Sequence, residues 1–383
     1  MNRLRKSFRQ TDFVLLFLCL AATVFGLIVV YSATGSYNGI SRDFRTMALA
    51  AAIGLVAAIV ISFIDYALII KLWPAIAGVC LLLMVMTYFF GVGPSARSDA
   101  KTWLKLGSSG LYFQASELVK IGFIITFGMH LDIVKDRINN IKTLALLVVH
   151  AMVPAGLVVI TGDWGSALVF LVIFIAMMFM GGLKLRWFAA GAAAVAAAFP
   201  VVWNYLFSSI QKERFMALFT PEEYPDVIYQ QQMGLTAIGA GKFSGMGLFN
   251  GVYTSAGLVP ESRNDMIFTV IGEELGFIGC IAAIALIVLI SVRSVAVGRD
   301  SDDNAASLMC CGFAAMIFGQ MVINIGMCLM LLPVVGITLP FFSAGGSSNV
   351  CLYLGVGLVL SVFRHTQHTD RRGSSLKSVG FTE

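Results

Sequence analysis

The stretch V-P-E-S-R-N-D-M-I-F-T-V-I-G-E-E-L-G-F-I-G, residues 259–279, decides how the rest of the chain is interpreted. It begins polar, turns apolar at Met266 and continues apolar well beyond the quoted residues, which predicts a membrane-spanning helix. Glu273 and Glu274 lie inside that run. The first of them is eight residues beyond Asp265, or roughly 12 Å deeper at 1.5 Å per residue. Carboxylates at membrane depth are costly, so they indicate a functional site.

The composition is typical of a polytopic membrane protein. Of the 383 residues, 58% are hydrophobic and 12% are charged, whereas soluble proteins have roughly 25% charged residues. All seven cysteines fall in apolar segments, and the four histidines lack metal-ligand spacing with a carboxylate. This pattern argues against a disulfide framework and a structural metal site. The net charge of +5 reflects how basic residues are arranged around the membrane and does not indicate a nucleic-acid partner.

Apolar runs predict an all-α polytopic membrane protein with about ten transmembrane helices, in a single transmembrane domain over residues 1–383. The first run follows a basic N-terminus, as in a signal peptide. It is long and many spans follow, so we interpret it as a retained helix. The longest connection, about 208–265, lies between helices 7 and 8. The predicted spans are approximately 13–30, 46–63, 68–91, 114–131, 142–160, 166–182, 186–206, 266–292, 304–332 and 346–363.

Lysines and arginines set the predicted orientation. Most of the 26 lie on the side that holds the N-terminus, and several of the others belong to the long connection, which the positive-inside rule discounts. Both termini are therefore predicted to be cytoplasmic, including a tail of about 364–383. The 208–265 connection is predicted to be extracytoplasmic. Asp265 then marks the point where the chain re-enters the membrane from outside.

Charged residues also stand at the outer ends of other spans. Glu117 and Lys120 lie three residues apart on one helix face, either as a charge pair at a helix start or as part of a buried network. Asp163 precedes the sixth span, where it suits a helix cap, and it is close enough to the outer interface to join a site there. Asp265 fits a capping box with Ser262, a role that is compatible with catalysis.

The adjacent glutamates need separate partners, because neighbouring residues point about 100° apart around a helix. One of Glu273 and Glu274 could pair with Lys120 or another buried base, and the other could be protonated. Arg214 and Lys212 on the long connection are either solvated charges or ligands for an anion.

A proline-broken, hydroxyl-rich turn precedes the last span and contains Ser343 and Ser347. Helix N–H groups in such a turn could bind an anion such as a phosphate. A plain helix start with serine caps explains the pattern equally well.

Four motifs are distinctive when taken together. They are Pro260–Phe268 followed by Gly272–Phe277, Gly336–Ser348, Gln114–Lys120 and Gly162–Ala167. In this order they resemble the SEDS family (shape, elongation, division and sporulation), to which RodA and FtsW belong. The resemblance covers nearly the whole chain. Departures such as Ala115 and Thr338 leave the charged residues of the two central motifs in place, and Asn324-Ile-Gly-Met327 is most similar to RodA.

The resemblance implies a bacterial enzyme that polymerises lipid II, an undecaprenyl-pyrophosphate-linked disaccharide pentapeptide, into glycan strands outside the cytoplasmic membrane. Asp265 matches the family's essential aspartate, and a carboxylate there would act as general base on the acceptor's 4-hydroxyl. Displacement of an α-linked pyrophosphate with inversion would give a β-linked glycan. A class B penicillin-binding protein is the implied transpeptidase partner.

The leaving pyrophosphate and the lipid tail need their own binding groups. Arg214, Lys212, Lys105 or a divalent cation (Mg²⁺ or Mn²⁺) would neutralise the phosphates, and no metal site is assigned to the protein itself. The lipid tail needs an apolar groove that opens to membrane lipid. The expected binding and supporting residues, besides these cations, are Glu117, Lys120, Asp163, Glu273, Glu274, Ser343 and Ser347.

Two alternatives stay open at this point. A transporter that flips lipid II would also use buried charges and a polar cavity. It should need charge on the inner half as well, whereas the acids here cluster toward the outer half, which favours an enzyme. The other alternative is the same enzyme serving division or sporulation instead of cell elongation.

Overall fold

The computed structural model describes residues 11–35, 40–93, 100–107 and 111–377, which form a helical bundle. The strands in this part of the chain are one short hairpin, β1 (Leu104–Leu106) and β2 (Leu111–Phe113). The helices are α1 (Phe13–Ala33), α2 (Arg42–Phe63), α3 (Tyr66–Lys71), α4 (Trp73–Phe90), α5 (Ala115–Val134), α6 (Ile141–Ile160), α7 (Trp164–Met180), α8 (Leu185–Val201), α9 (Ser209–Met216), α10 (Pro225–Gly241), α11 (Val252–Ser255), α12 (Ile267–Arg299), α13 (Asn304–Cys328) and α14 (Gly346–Lys377).

The predicted spans all fall on helices, so the all-α polytopic fold is confirmed; the span 68–91 covers two of them, the end of α3 and the whole of α4. Eight helices in the described part of the chain are long and apolar enough to cross a membrane, namely α1, α2, α4, α6, α8 with its π-helical end, α12, α13 and α14. The two remaining predicted spans are α7, which is apolar but has 17 residues, and α5, which carries Glu117, Lys120 and Asp132. The predicted tail continues α14 as far as Lys377.

The core of the bundle is formed around α13 and α14. In their membrane segments 78% and 72% of the residues are buried, whereas none of the described residues of the α8 span is buried. Helix α2 packs closely along α14 because glycines remove side chains at the crossing. A Cβ at Gly357 would lie 2.9 Å from the Cα of Ala58, so the two backbones are nearly in contact. The last helix is thereby a fixed element near the site described below.

Helix α12 is broken at Gly276, which has φ 63° and ψ −160°. The predicted membrane-spanning helix is therefore confirmed, and the break at Gly276 is a feature that the sequence analysis did not predict. At the break, residues 242–247 run alongside α12 and replace its own hydrogen bonds. Phe277 N donates to Lys242 O at 2.9 Å and Ile278 N to Phe243 O at 3.3 Å, while Met246 N donates to Glu273 O at 2.9 Å and Gly247 N to Glu274 O at 3.0 Å. Four backbone groups at the break are thus paired with the connection, and such pairing is what membrane depth requires.

The connection 208–265 is more structured than the predicted loop. It contains α9, α10 and α11, and α10 packs directly on the first half of α12, before the break at Gly276. Gly241 at the end of α10 lies against the carbonyl of Gly272, where a side chain would not fit. The connection is therefore part of the bundle at this end, which we call the outer end after the predicted orientation.

Gly276→Ala tests the break in α12. The backbone at Gly276 lies in a region essentially restricted to glycine, and a Cβ there would collide with the backbone of Gly245. We expect the free energy of unfolding to fall by about 1–3 kcal/mol. The measurement is thermal unfolding of the purified protein in detergent.

Gly156→Ala in α6 is the matched control, because nothing lies within 4 Å of a Cβ built there. This variant should be neutral or slightly more stable, since alanine favours a helix over glycine. Equal stability of the two variants would contradict the assigned role of Gly276.

Candidate active site at the outer end of the bundle

Asp265 lies in a tight turn, residues 261–266, immediately before α12. Two backbone N–H groups of the turn donate to the carbonyl of Glu261. Helix α12 begins at Ile267, and its N-cap residue is Met266, which makes no side-chain cap hydrogen bond. The helix therefore does not start at the predicted capping box, in which Ser262 would be the N-cap and Asp265 the third helical residue, and that prediction is wrong.

Three consecutive backbone carbonyls in this turn each accept a hydrogen bond from another part of the bundle. Ala344 N donates to Arg263 O at 3.0 Å, Ser343 Oγ to Asn264 O at 2.7 Å, and Asn324 Nδ2 to Asp265 O at 2.7 Å. The first two donors belong to the proline-broken turn before α14 and the third belongs to α13. The main chain that carries Asp265 is consequently fixed on two sides.

The Asp265 side chain lies beside Gly336. This glycine has φ 76°, and a Cβ built on it would lie 3.7 Å from Oδ2 of Asp265. Asp265 itself is half-buried. Its carboxylate therefore has the Gly336 turn on one side and stays partly accessible to a substrate.

Both serines of the predicted anion-binding turn are engaged with backbone groups. Ser343 Oγ donates to the main chain before Asp265, as described above, and accepts from Leu339 N at 2.8 Å. Ser347 Oγ accepts from Gln114 N at 3.2 Å and donates to Tyr112 O at 3.3 Å. These bonds tie the start of α14 to the turn of Asp265 and to the start of α5. The anion-binding role of the two serines stays a prediction.

Asp163 is the helix cap that the sequence predicts. Its Oδ1 accepts from Ser166 N at 3.0 Å, which starts α7. Its Oδ2 accepts from Gln114 Nε2 at 2.8 Å and from Ser116 Oγ at 2.9 Å, both at the start of α5. The carboxylate is 9% exposed. Asp163 therefore caps α7 and joins it to α5, and its predicted part in a site at this end stays a prediction.

Glu117 and Lys120 form a buried ion pair on α5. Their Oε1 and Nζ atoms are 2.8 Å apart, Glu117 is 5% exposed and Lys120 is fully buried. Because both charges are removed from water, loss of either partner would leave an unpaired charge in the bundle. The interpretation as a buried network fits this geometry better than a charge pair at a solvated helix start.

Glu273 and Glu274 bind different groups, as their directions on a helix predict, but neither partner is Lys120, whose observed partner is Glu117. Glu273 accepts from the backbone N–H groups of Tyr253 and Thr254 at 2.6 and 3.0 Å. Glu274 accepts from Ser32 Oγ of α1 at 2.5 Å and from Phe249 N at 3.2 Å. The expected pairing with a buried base is thus wrong. The two carboxylates instead hold residues 249–254 of the connection against α12.

The three candidate cations differ in exposure. The Arg214 side chain, on α9, is half-buried and donates to Val334 O at 2.9 Å, two residues before Gly336. Lys212 on the same helix is also half-buried, whereas Lys105 on β1 is exposed. Of these three cations, Arg214 is the one that donates to the segment before Gly336, the glycine that lies beside the Asp265 carboxylate.

Sequence reasoning missed two buried amides that hold this end together. Asn324 is fully buried, and its Nδ2 donates to Asp265 O and to Ile337 O, both at 2.7 Å. Gln231 of α10 is 2% exposed, and its Nε2 donates to Met327 O at 2.7 Å and to Leu332 O at 2.8 Å. The available signal was an amide inside an otherwise apolar run, which must find partners when buried.

Within the described ranges, no three His, Cys, Asp or Glu side chains come together in a group that could hold a metal ion. The predicted Mg²⁺ or Mn²⁺ at the pyrophosphate therefore stays a prediction, in which substrate oxygens would supply most of the ligands, as is usual for Mg²⁺ bound to phosphates.

The family of the chain follows from a comparison with protein-family models. A model of the FtsW, RodA and SpoVE type, described as "Cell cycle protein", matches residues 13–368. The chain belongs to the SEDS family. The resemblance of the four motifs is thereby confirmed.

Curated SEDS relatives are similar over nearly their whole length. The chain is 33% identical over 368 residues to the probable peptidoglycan glycosyltransferase FtsW of Trichlorobacter lovleyi, covering 94% of this chain and 95% of the relative. It is 30% identical over 358 residues to the peptidoglycan glycosyltransferase MrdB of Escherichia coli K12, covering 92% and 94%. The enzyme class expected from the sequence, a glycosyltransferase, is confirmed by these relatives.

Solved SEDS structures share the fold. One, described as "Structural coordination of polymerization and crosslinking by a peptidoglycan synthase complex", matches with a TM-score of 0.79 and 28% identity over 93% of this chain and 98% of that chain. The rod shape determining protein RodA of Thermus thermophilus matches with a TM-score of 0.69 and 26% identity, covering 93% and 97%. The multi-pass membrane architecture is therefore that of the family.

Lys120→Met tests the buried ion pair. The change leaves the Glu117 carboxylate buried without its cation, so we expect the free energy of unfolding to fall by about 3–5 kcal/mol. Thermal unfolding in detergent measures the effect. Combining Lys120→Met with Glu117→Gln should recover part of the loss, because the uncompensated charge is then removed.

Lys135→Met is the control for this experiment. Lys135 forms an ion pair of the same spacing with Asp132, at 3.4 Å, but its side chain is 56% exposed. An exposed pair contributes roughly 0–1 kcal/mol, so the variant should unfold close to the wild type. If the two single variants lose the same stability, burial is not what makes the Glu117–Lys120 pair important.

Proposed function

We propose that this SEDS protein polymerises lipid II into glycan strands at the outer face of the bacterial cytoplasmic membrane, with Asp265 as the general base. The observation that carries the proposal is the geometry of Asp265. Its main chain is fixed by neighbouring hydrogen bonds, and the residue is half-buried beside the Gly336 turn. A base held in place on a rigid support is what glycosyl transfer needs, because the reacting groups must be aligned.

The proposed reaction is a single displacement. The 4-hydroxyl oxygen of the acceptor sugar attacks the anomeric carbon of the donor, and the bond from that carbon to the pyrophosphate oxygen breaks. The bonding electrons leave with the lipid pyrophosphate, and the hydroxyl proton passes to the Asp265 carboxylate. Attack opposite an α-linked leaving group gives a β-linked product. The leaving group is already activated, so one carboxylate suffices where glycoside hydrolases use two.

The three candidate cations would stabilise the departing phosphates. Arg214 is the best supported of the candidates, because it is half-buried and donates to Val334, two residues before Gly336. Lys212 and Lys105 are the other proposed partners, and a divalent cation (Mg²⁺ or Mn²⁺) would supply further positive charge to the phosphates. Positive charge placed where negative charge develops lowers the barrier to reaction.

The proposed partner is a class B penicillin-binding protein that crosslinks the new strands. The support is the similarity to a solved synthase complex whose description couples polymerisation with crosslinking. The partner's single helix would pack on the outer surface of the bundle, in the membrane. Both termini of this chain are proposed to be cytoplasmic, because the distribution of basic residues predicts this orientation.

We further propose that the enzyme serves cell elongation. The support is the Asn324–Met327 motif, which is most similar to RodA, and the match to RodA and MrdB. The FtsW of Trichlorobacter lovleyi is about as similar, so a division or sporulation role is the alternative. Deletion of the gene separates them, because loss of elongation gives round cells whereas loss of division gives filaments.

Asp265→Asn is the test of the proposed base. With labelled lipid II and the purified protein in complex with its class B partner, we expect the polymerisation rate to fall roughly 10²–10⁴-fold, because an amide cannot take the proton. Asp226→Asn is the matched control. It makes the same change at an exposed carboxylate on α10, and it should leave the rate unchanged.

Normal polymerisation by folded Asp265→Asn would show that the base is assigned wrongly. If the wild type makes no glycan while lipid II crosses the bilayer of reconstituted vesicles, the enzyme proposal fails and the flippase alternative takes its place.

A further inference from the structure

Asn324 is a fully buried amide on α13, the span with the largest buried fraction. It lies one turn from the outer end of that helix, among apolar neighbours in the sequence. Its NH₂ group has two hydrogens to donate, and both are used at 2.7 Å, one to Asp265 O and one to Ile337 O. A side chain that uses both donors on two different segments fixes the distance between those segments.

The two segments are the two sides of the candidate site. One is the turn that carries Asp265. The other follows Gly336, which lies beside the Asp265 carboxylate. Asn324 therefore sets how the base sits relative to the turn beside it, and it anchors both to the most buried span of the bundle.

We propose that Asn324 is a positioning residue for glycosyl transfer, which acts by holding the Asp265 main chain at the depth and angle that bring its carboxylate to the acceptor hydroxyl. The inference rests on the proposed function of Asp265. Asn324 does not reach substrate in this role, since its donors are bonded to backbone carbonyls.

A loss of this bridge changes the reaction more than it changes substrate binding. Without Asn324, the carbonyls of Asp265 and Ile337 each lose an amide donor, and Asp265 O keeps the weak Cys328 Sγ contact at 3.8 Å, so the turn can shift toward other donors. A misplacement of about 1 Å at a reacting group can cost roughly 100-fold in rate. The substrate phosphates and the lipid tail are bound by other residues, so KM should be little affected.

Gln231 offers a matched comparison, because its side-chain amide makes the same kind of hydrogen bonds as Asn324 but to other residues. It is also a buried amide that donates twice to backbone carbonyls, at 2.7 and 2.8 Å, and one of its acceptors lies at the same end of α13. Its acceptors are Met327 and Leu332 and do not include Asp265. A general loosening of this end of the bundle should therefore affect both amides alike.

The experiment measures kcat and KM for lipid II polymerisation by the complex, with Asn324→Leu and Gln231→Leu compared after thermal unfolding has shown how much of each is folded. Leucine keeps the approximate size of the side chain and removes both donors. We expect kcat of Asn324→Leu to fall roughly 10- to 100-fold with KM unchanged. Gln231→Leu should keep kcat per folded molecule even if it unfolds at a lower temperature.

Asn324→Ser keeps one donor and provides the measurement if the leucine variant does not fold, with a smaller loss of kcat expected. Equal losses of kcat in the Asn324 and Gln231 variants, or an unchanged kcat in folded Asn324→Leu or Asn324→Ser, would overturn the proposal. Asp265→Asn is measured alongside them. If that variant is fully active, the proposed base fails. If it is inactive while the Asn324 variants keep kcat, only the positioning role fails.

Discussion

Every backbone N–H and C=O group at membrane depth needs a protein partner, because lipid offers none. This constraint explains the outer half of the protein. Helix α12 is broken at Gly276, and four of its backbone groups at the break are paired with residues 242–247 of the preceding connection. The connection consequently cannot be a solvated loop. Once its backbone is committed to α12, the carboxylates of Glu273 and Glu274 bind its N–H groups as well, and α10 packs on the same helix.

The candidate site is held in the same way, by hydrogen bonds between backbone groups and distant segments of the chain. Carbonyls of residues 263–265 accept hydrogen bonds from the turn before α14 and from α13, so the chain enters the membrane in one defined conformation. The buried charges support this arrangement at a distance. Asp163 joins the starts of α5 and α7, and Ser347 joins the start of α14 to the same end of α5. The rigidity of the site thus comes from helix starts that are bonded to one another.

What the sequence could and could not predict follows from the range of each interaction. The Asp163 cap and the Glu117–Lys120 pair involve residues three positions apart on one helix, so spacing alone predicts them. The partners of Glu273 and Asn324 lie far along the chain, and spacing says nothing about them. Gly276 has no signal of its own in an apolar run, since a glycine in a regular helix looks the same. The role of Asp265 came from motif resemblance and stays a proposal.

The order of the chain has a consequence for how the broken helix enters the membrane. Residues 242–247 precede α12, and in the predicted orientation they have already crossed to the outer side when α12 leaves the translocon. In that orientation, the backbone groups of residues 242–247 would already be on the outer side when the outer half of α12 is inserted. A permuted chain in which that segment followed α12 would have to insert the helix with open backbone groups in lipid. With this chain order, the segment that completes the break is synthesised before the helix that it completes.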